Sequence, residues 1–122
     1  MNIKVAADLV GLSADTIRYY EKIGLVPPIT RNKSGIRDFQ QKDLEALEFV
    51  KCFRSAGLSV DSLTTYMTLY GQGDKTRLER LELLQTERDK LKARLKEQEA
   101  ALKRLDHKIA IYQKGLSNDA PL

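Results

Sequence analysis

Apolar and polar positions alternate at helical spacing from Ile3 to Val10, and the run stops at Gly11. Leu12-Ser13 follows, and a second periodic run from Ala14 to Ile23 stops at Gly24. Ser13 suits the N-cap of that second helix, because its hydroxyl can accept from an otherwise unpaired backbone N–H. Gly24 suits the position just past its end, where the chain turns left-handed. Two helices joined by a short turn containing Gly make a helix-turn-helix, with Ala7, Leu12 and Ile17 as the natural contacts between them.

Pro27-Pro28 forbids a helix in the next stretch. Arg31-Asn32-Lys33-Ser34-Gly35 is polar and turn-rich, and lies between Val26/Ile29 and Ile36/Phe39. This predicts a short β-hairpin over about 29–39 with a basic tip, a wing beside the helix-turn-helix. Leu44, Leu47, Val50 and Phe53 then recur near a 3.6-residue period within Gln41 to Ala56, and Gly57 ends that helix. Ser59 or Asp61 can cap a shorter helix running to about Leu69-Tyr70, and Gly71-Gln72-Gly73-Asp74 reads as an elbow.

From about Thr76 to Lys114 the chain has neither Gly nor Pro. Leu81, Leu84, Leu91, Leu95, Leu102, Leu105, Ile109 and Tyr112 fall on one seam of alternating three- and four-residue steps, interrupted by Arg88 and Gln98. Such a heptad predicts a coiled coil, in which the two polar interruptions can set register. At ~1.5 Å per residue the helix is roughly 58 Å long, with no core of its own chain to lie on. A second copy of itself is the economical partner, hence a homodimer. The pattern divides the chain into a head at 1–71, a dimerisation helix at 75–114 and a short flexible tail at 115–122. The fold class is mostly α.

Composition narrows the class. The 122 residues are 31% charged and 42% hydrophobic, which fits an ordered, soluble protein. No apolar run is long enough for a membrane span, and the first residues lack the pattern of a secretory signal. One Cys and one His provide neither an internal disulfide nor a structural zinc site, so a reduced, cytoplasmic protein without metal or cofactor is expected. The same inventory offers no nucleophile–base pair and no phosphate-cradling Gly loop, which argues against an enzyme and leaves no catalytic residue to name.

The distribution of charge changes the picture more than its total of +4. Residues 1–71 hold nine Lys/Arg against eight Asp/Glu, whereas within 16–37 Arg18, Lys22, Arg31, Lys33 and Arg37 face only Glu21. A basic patch beside aromatic side chains suggests a polyanion partner. On the second helix Ile17 can face the core while Arg18 and Tyr19 project outward. Thr16, Arg18, Tyr19 and the wing tip (Arg31, Lys33, Ser34) supply the guanidinium and hydroxyl groups that meet a phosphate backbone. Tyr20 is balanced between that role and packing. Glu21 interrupts the positive field and is expected in an internal salt bridge. A coiled-coil adaptor with a basic head, and a DNA-binding regulator whose effector is a non-covalent small molecule or that senses nothing, are the rival readings. Steep salt dependence and sequence preference separate a regulator from an adaptor.

Ile3-x-x-Ala6-Ala7, Gly11-Leu12-Ser13, Thr16-Ile17-Arg18-Tyr19-Tyr20-Glu21, Gly24-Leu25-Val26, Gly35-Ile36-Arg37 and Gly57-Leu58-Ser59 stand in the order and spacing of the MerR family of transcription regulators, which the chain resembles over about residues 2–70. The resemblance implies a winged helix-turn-helix, an antiparallel coiled-coil dimer and a pseudo-palindromic operator in double-stranded promoter DNA. It also implies a promoter with an overlong spacer, which the activated dimer bends and untwists so that RNA polymerase engages both elements. Carried onto this chain, Arg18 and Tyr20 are phosphate contacts, Thr16 and Tyr19 lie on or beside the DNA face, and Arg37 matches the family's wing Arg. Ile36 stands where the family commonly has Tyr, which removes a phenol from the wing.

The metal sensors of that family carry a Cys at the start of the long helix and a Cys-containing loop after it; this chain has neither. Its one thiol, Cys52, lies three residues after Phe49, with Lys51 and Arg54 nearby in sequence. The residues alone leave two readings open, a small packed side chain or a thiol activated by a cationic field. Phe49-Val50-Lys51-Cys52-Phe53-Arg54 followed by Gly57, together with Lys108-Ile109-x-x-Tyr112, is similar to the aldehyde- and thiol-stress-responsive (NmlR- and AdhR-like) branch. That similarity implies a sensor at Cys52 for a small electrophile.

Overall fold

The computed structural model describes residues 1–115 and 122. Five α-helices follow one another: α1 (Ile3–Val10), α2 (Ala14–Lys22), α3 (Gln41–Ser55), α4 (Val60–Gly71) and α5 (Arg77–Gln113), with one 3₁₀ turn, Asp74–Thr76, before the last. The chain forms two compact units, Met1–Glu87 and Arg88–Leu122. The expected tail at 115–122 lies, beyond Gly115, almost wholly outside the described residues.

Side-chain oxygens start most of these helices. Asn2 Oδ1 accepts from Val5 N at 2.9 Å, Ser13 Oγ from Thr16 N at 3.0 Å and Ser59 Oγ from Ser62 N at 3.0 Å. At α3 the reciprocal bond is made, with Gln40 N–H donating to Asp43 Oδ2 at 2.8 Å. Ser59 rather than Asp61 is therefore the cap of α4. Gly11 follows α1 with φ +70° and Gly24 follows α2 with φ +76°, a region that L side chains rarely adopt.

The core of the first unit collects Ile17, Leu25, Val26, Phe39, Leu47, Val50 and Leu63, all essentially inaccessible to solvent. Ala7 and Ile17 are buried as expected, and Leu12 packs half-buried against the same cluster. α3 presents Leu44, Leu47 and Val50 inward, with Phe53 at the margin.

The wing departs from the expected two-stranded hairpin. Its only ladder among the described residues is a single antiparallel bridge between Arg31 and Arg37. Asn32 takes over much of the pairing: its Oδ1 accepts from Ser34 N at 2.9 Å and from Ile36 N at 3.1 Å, while its own N–H donates to Ile36 O at 2.8 Å. A side chain that satisfies the turn's backbone leaves no need for longer strands. Buried Ile29 and Phe39 anchor the two ends of this loop.

Within the first unit α5 is pinned to α4 by polar contacts. Glu87 is buried and accepts from Ser62 Oγ at 2.8 Å. Thr76 Oγ1 donates to Leu69 O at 2.6 Å, and Arg80 Nε donates to Thr76 Oγ1 at 3.1 Å. In the second unit α5 is a bare helix on which Leu95, Leu102, Leu105, Ile109 and Tyr112 are each about half exposed or more. Among the described residues no helix is long and apolar enough to cross a membrane.

Candidate nucleic-acid interface and thiol site

The Ser13 cap sets the start of α2, and Ile17 at its centre is buried, so the faces of its neighbours follow from helical geometry. Arg18 is exposed and reaches back one turn to Asp15 Oδ1 at 3.0 Å, a surface pair that a phosphate can displace. Tyr19 is 54% exposed. Tyr20 is half-buried against the core, its ring 6.4 Å from that of Tyr19. Thr16 is half-buried and its Oγ1 accepts from the Ser13 hydroxyl at 2.8 Å.

Glu21 joins this helix to the wing. Its Oε1 meets Arg37 Nε at 2.8 Å and Arg31 Nη2 at 3.7 Å, and its Oε2 accepts the Ile29 N–H at 2.5 Å. Burial by itself pushes the Glu21 carboxyl up. The Ile29 N–H, then the hydrogen bond and charge of Arg37, then the charge of Arg31 more than reverse this, so Glu21 titrates below its ordinary 4.5. The expected internal salt bridge is thus present, with both its partners on the wing. Arg37 is held half-buried in that pair, whereas Lys33 and Ser34 stand exposed at the tip. Arg31 also donates to Gly35 O at 3.0 Å, which closes the wing on itself. Through Glu21 the structure ties α2, which exposes Arg18 and Tyr19, to the wing, whose tip exposes Lys33 and Ser34; Tyr20 and Arg37 are half-buried.

Cys52 is exposed on α3. The two cations near it in sequence turn elsewhere: Lys51 Nζ donates to Val10 O at 2.8 Å and Arg54 Nη1 to Leu58 O at 2.7 Å. Their head groups fasten α3 to neighbouring backbone. Among the described residues no cluster of His, Cys, Asp or Glu is arranged to hold a metal.

One feature escaped the sequence reading. Phe49 stacks on Tyr66 at 5.2 Å between ring centres, and Tyr66 on Tyr70 at 6.3 Å, while Phe53 meets Phe49 edge-on at 4.8 Å. The spacing of Phe49/Phe53 and Tyr66/Tyr70, four residues apart on each helix, carries the signal for two aromatic faces.

The head matches the family described as MerR HTH family regulatory protein over residues 1–70, and residues 44–108 match the family described as MerR, DNA binding. The chain belongs to the MerR family. It is a DNA-binding transcription regulator, and the matched families and relatives are regulators rather than enzymes. This MerR chain is 48% identical over 91 residues to the HTH-type transcriptional regulator AdhR of Bacillus subtilis, a match covering 75% of this chain and 65% of AdhR. It is 36% identical over 110 residues to an HTH-type transcriptional regulator of Haemophilus influenzae, covering 90% of this chain and 82% of the relative. Among solved structures, a MerR family regulator from Listeria monocytogenes superposes with a TM-score of 0.90 at 49% identity, covering 93% of this chain and 86% of the other. HiNmlR, a MerR family regulator lacking the sensor domain and bound to promoter DNA, superposes with a TM-score of 0.85 at 34% identity, covering 93% and 90%. These similarities place the chain in the AdhR/NmlR-like branch.

Proposed function

We propose that this regulator is a homodimer that activates transcription in the cytoplasm when a small electrophile, an aldehyde in the first instance, adds to Cys52. The head, 1–71, binds half of a pseudo-palindromic operator, and the helix 75–114 pairs antiparallel with that of a second copy. Thr16, Arg18, Tyr19 and Tyr20 on α2, with Arg31, Lys33, Ser34 and Arg37 of the wing, form the DNA-contacting set. The dimer bends and untwists an overlong promoter spacer, so that RNA polymerase engages both promoter elements. Smooth bending of such a site costs on the order of 1–6 kcal/mol, which the phosphate contacts must offset.

The observation that carries the electrophile is the exposed thiol of Cys52, in a chain whose relatives include AdhR. The thiolate sulfur adds to the aldehyde carbon and a C–S bond forms. The carbonyl π pair moves to oxygen, which takes a proton from water to leave a hemithioacetal. No oxidant is needed, and the step is reversible. The adduct favours one dimer state over another by no more than its difference in stabilisation of the two.

Transcription in vitro tests this, using a promoter recovered by selecting genomic fragments, with wild-type and Cys52→Ser protein, each with and without aldehyde. Activation in the wild type alone supports the sensor. An equal response from both proteins removes Cys52 as the sensor and the electrophile from the reading.

A further inference from the structure

Arg88 and Gln98 are the two polar positions in the seam of α5, an unbroken helix from Arg77 to Gln113. Both are exposed in one copy of the chain. Arg88 Nη2 lies 3.5 Å from Asp89 Oδ1 with both side chains more than half in water, so this pair is weak and readily exchanged. The three- and four-residue steps sort the seam into two classes. Leu81, Arg88, Leu95 and Leu102 form one, and Leu84, Leu91, Gln98 and Leu105 the other. When two such helices run in opposite directions, their steps interlock only where one class faces the other, so the pair can slide only by whole heptads.

A single register sets Arg88 of each copy opposite Gln98 of the other. It is symmetric about residue 93, and it sets Leu91 opposite Leu95, Leu84 opposite Leu102 and Leu81 opposite Leu105. Leucine then meets leucine along this stretch, and the two polar side chains meet each other. Sliding by one heptad breaks the match: Arg88 faces Leu91 or Leu105, and Gln98 faces Leu81 or Leu95. Each such layer strips water from a guanidinium or an amide without giving it a partner. A parallel pair in register sets the two Arg88 charges against each other.

We propose that α5 pairs with a second copy of this chain in this one register, and that the Arg88–Gln98 layer selects it. Gln98 Oε1 accepts from the Arg88 guanidinium of the other copy, whose remaining N–H groups stay in water at the edge of the seam. The inference rests on the antiparallel dimer proposed above and adds its register and the residues that specify it.

Thr86, Ala93 and Ala100 are spaced by heptads on the side of α5 away from the seam, and all three are exposed. Each is replaced singly by Cys in the full chain carrying Cys52→Ser, and labelled with a nitroxide. Pulsed dipolar spin resonance then reads the distance between copies. The register predicts the shortest distance at 93, and equal, longer distances at 86 and 100, each with an axial offset of about 21 Å. Equal distances at 93 and 100, or at 86 and 93, mean a slide by one heptad and overturn the proposal. Three equal distances mean a parallel pair and do the same. A dimer in another register leaves the dimer reading standing. A monomer by sedimentation equilibrium, with no dipolar signal, removes the dimer and this inference together.

Exchanging the two polar residues tests their role. Gln98→Arg alone sets arginine against arginine and is expected to weaken dimerisation by about tenfold or more. Adding Arg88→Gln restores the mixed layer and is expected to recover most of that loss, a rescue that requires the two positions to face each other. A Gln98→Arg chain as dimeric as the wild type, or one that Arg88→Gln fails to rescue, overturns the assignment.

Discussion

Glu21 ties the wing to α2, in addition to the buried Ile29 and Phe39 that anchor its ends, and its environment makes that tie sensitive to acid. Its folded-state carboxyl titrates below the ordinary 4.5, so the unfolded chain binds this proton more readily than the folded one. The stability it contributes is present above about pH 4.5, and is lost as pH falls through the lower folded value. Glu21→Gln keeps an acceptor for the Ile29 N–H but removes the charge facing Arg37 and Arg31. It is expected to cost about 1–2 kcal/mol near neutrality, a modest figure because both arginines are partly in water. Urea titrations across the acid range check this: the gap between wild type and variant should close as pH falls below about 4.5. Arg18 belongs at the same scale. If its guanidinium meets a phosphate, Arg18→Ala lowers the slope of log affinity against log salt by about 0.9 per contact, roughly 1.8 for a dimer on two half-sites. A slope unchanged in a filter-binding series removes Arg18 from the contact set.

At the scale of the element, Ser13 shows why so much of the head was legible. Its hydroxyl both accepts from Thr16 N and donates to Thr16 Oγ1, so one side chain defines where α2 starts and how Thr16 is held. Ser13→Ala is expected to lower stability by about 1 kcal/mol, measured by thermal or urea unfolding. It should also weaken promoter binding, because the first turn of α2 frays. Caps, glycines and apolar spacing are local signals, and they marked all five helices to within a residue or two. The wing was harder to read because Asn32 closes it through its own side chain, an arrangement that alternation of apolar residues does not encode. Glu21 was readable as a salt-bridging residue, but its partners lie eight to sixteen positions away and are set by packing. Lys51 and Arg54 were misleading for the same reason. They adjoin Cys52 in sequence, yet bind the carbonyls of Val10 and Leu58. The stack of Phe49 on Tyr66 needs α3 and α4 side by side, and no single helical period predicts that.

For the whole molecule the decisive quantity is apolar surface that one chain leaves in water. Leu81, Leu95, Leu102, Leu105, Ile109 and Tyr112 each expose between 48% and 61% of their surface on α5. Completing the burial of a Leu or Ile from that point is worth about 1 kcal/mol per side chain, half of the usual ~1.5–3 kcal/mol. Two copies of the seam therefore gain on the order of 10–15 kcal/mol, which is comparable to the roughly 4–15 kcal/mol that association costs. The seam is thus sufficient for a dimer only if most of it is used at once, and placing charge in its middle should abolish pairing. Leu95→Asp combined with Leu102→Asp puts a carboxylate at two seam positions that need an apolar neighbour, while leaving the first unit, which ends at Glu87, untouched. Sedimentation equilibrium is expected to show a dimer for the wild type and a monomer for the double variant, with the head still folded. On promoter DNA the monomer holds one half-site, so its salt slope should fall to about half that of the wild type. A double variant that remains dimeric places the pairing surface elsewhere than on this seam. One that becomes monomeric yet keeps the full salt slope shows that the operator is read by a single head.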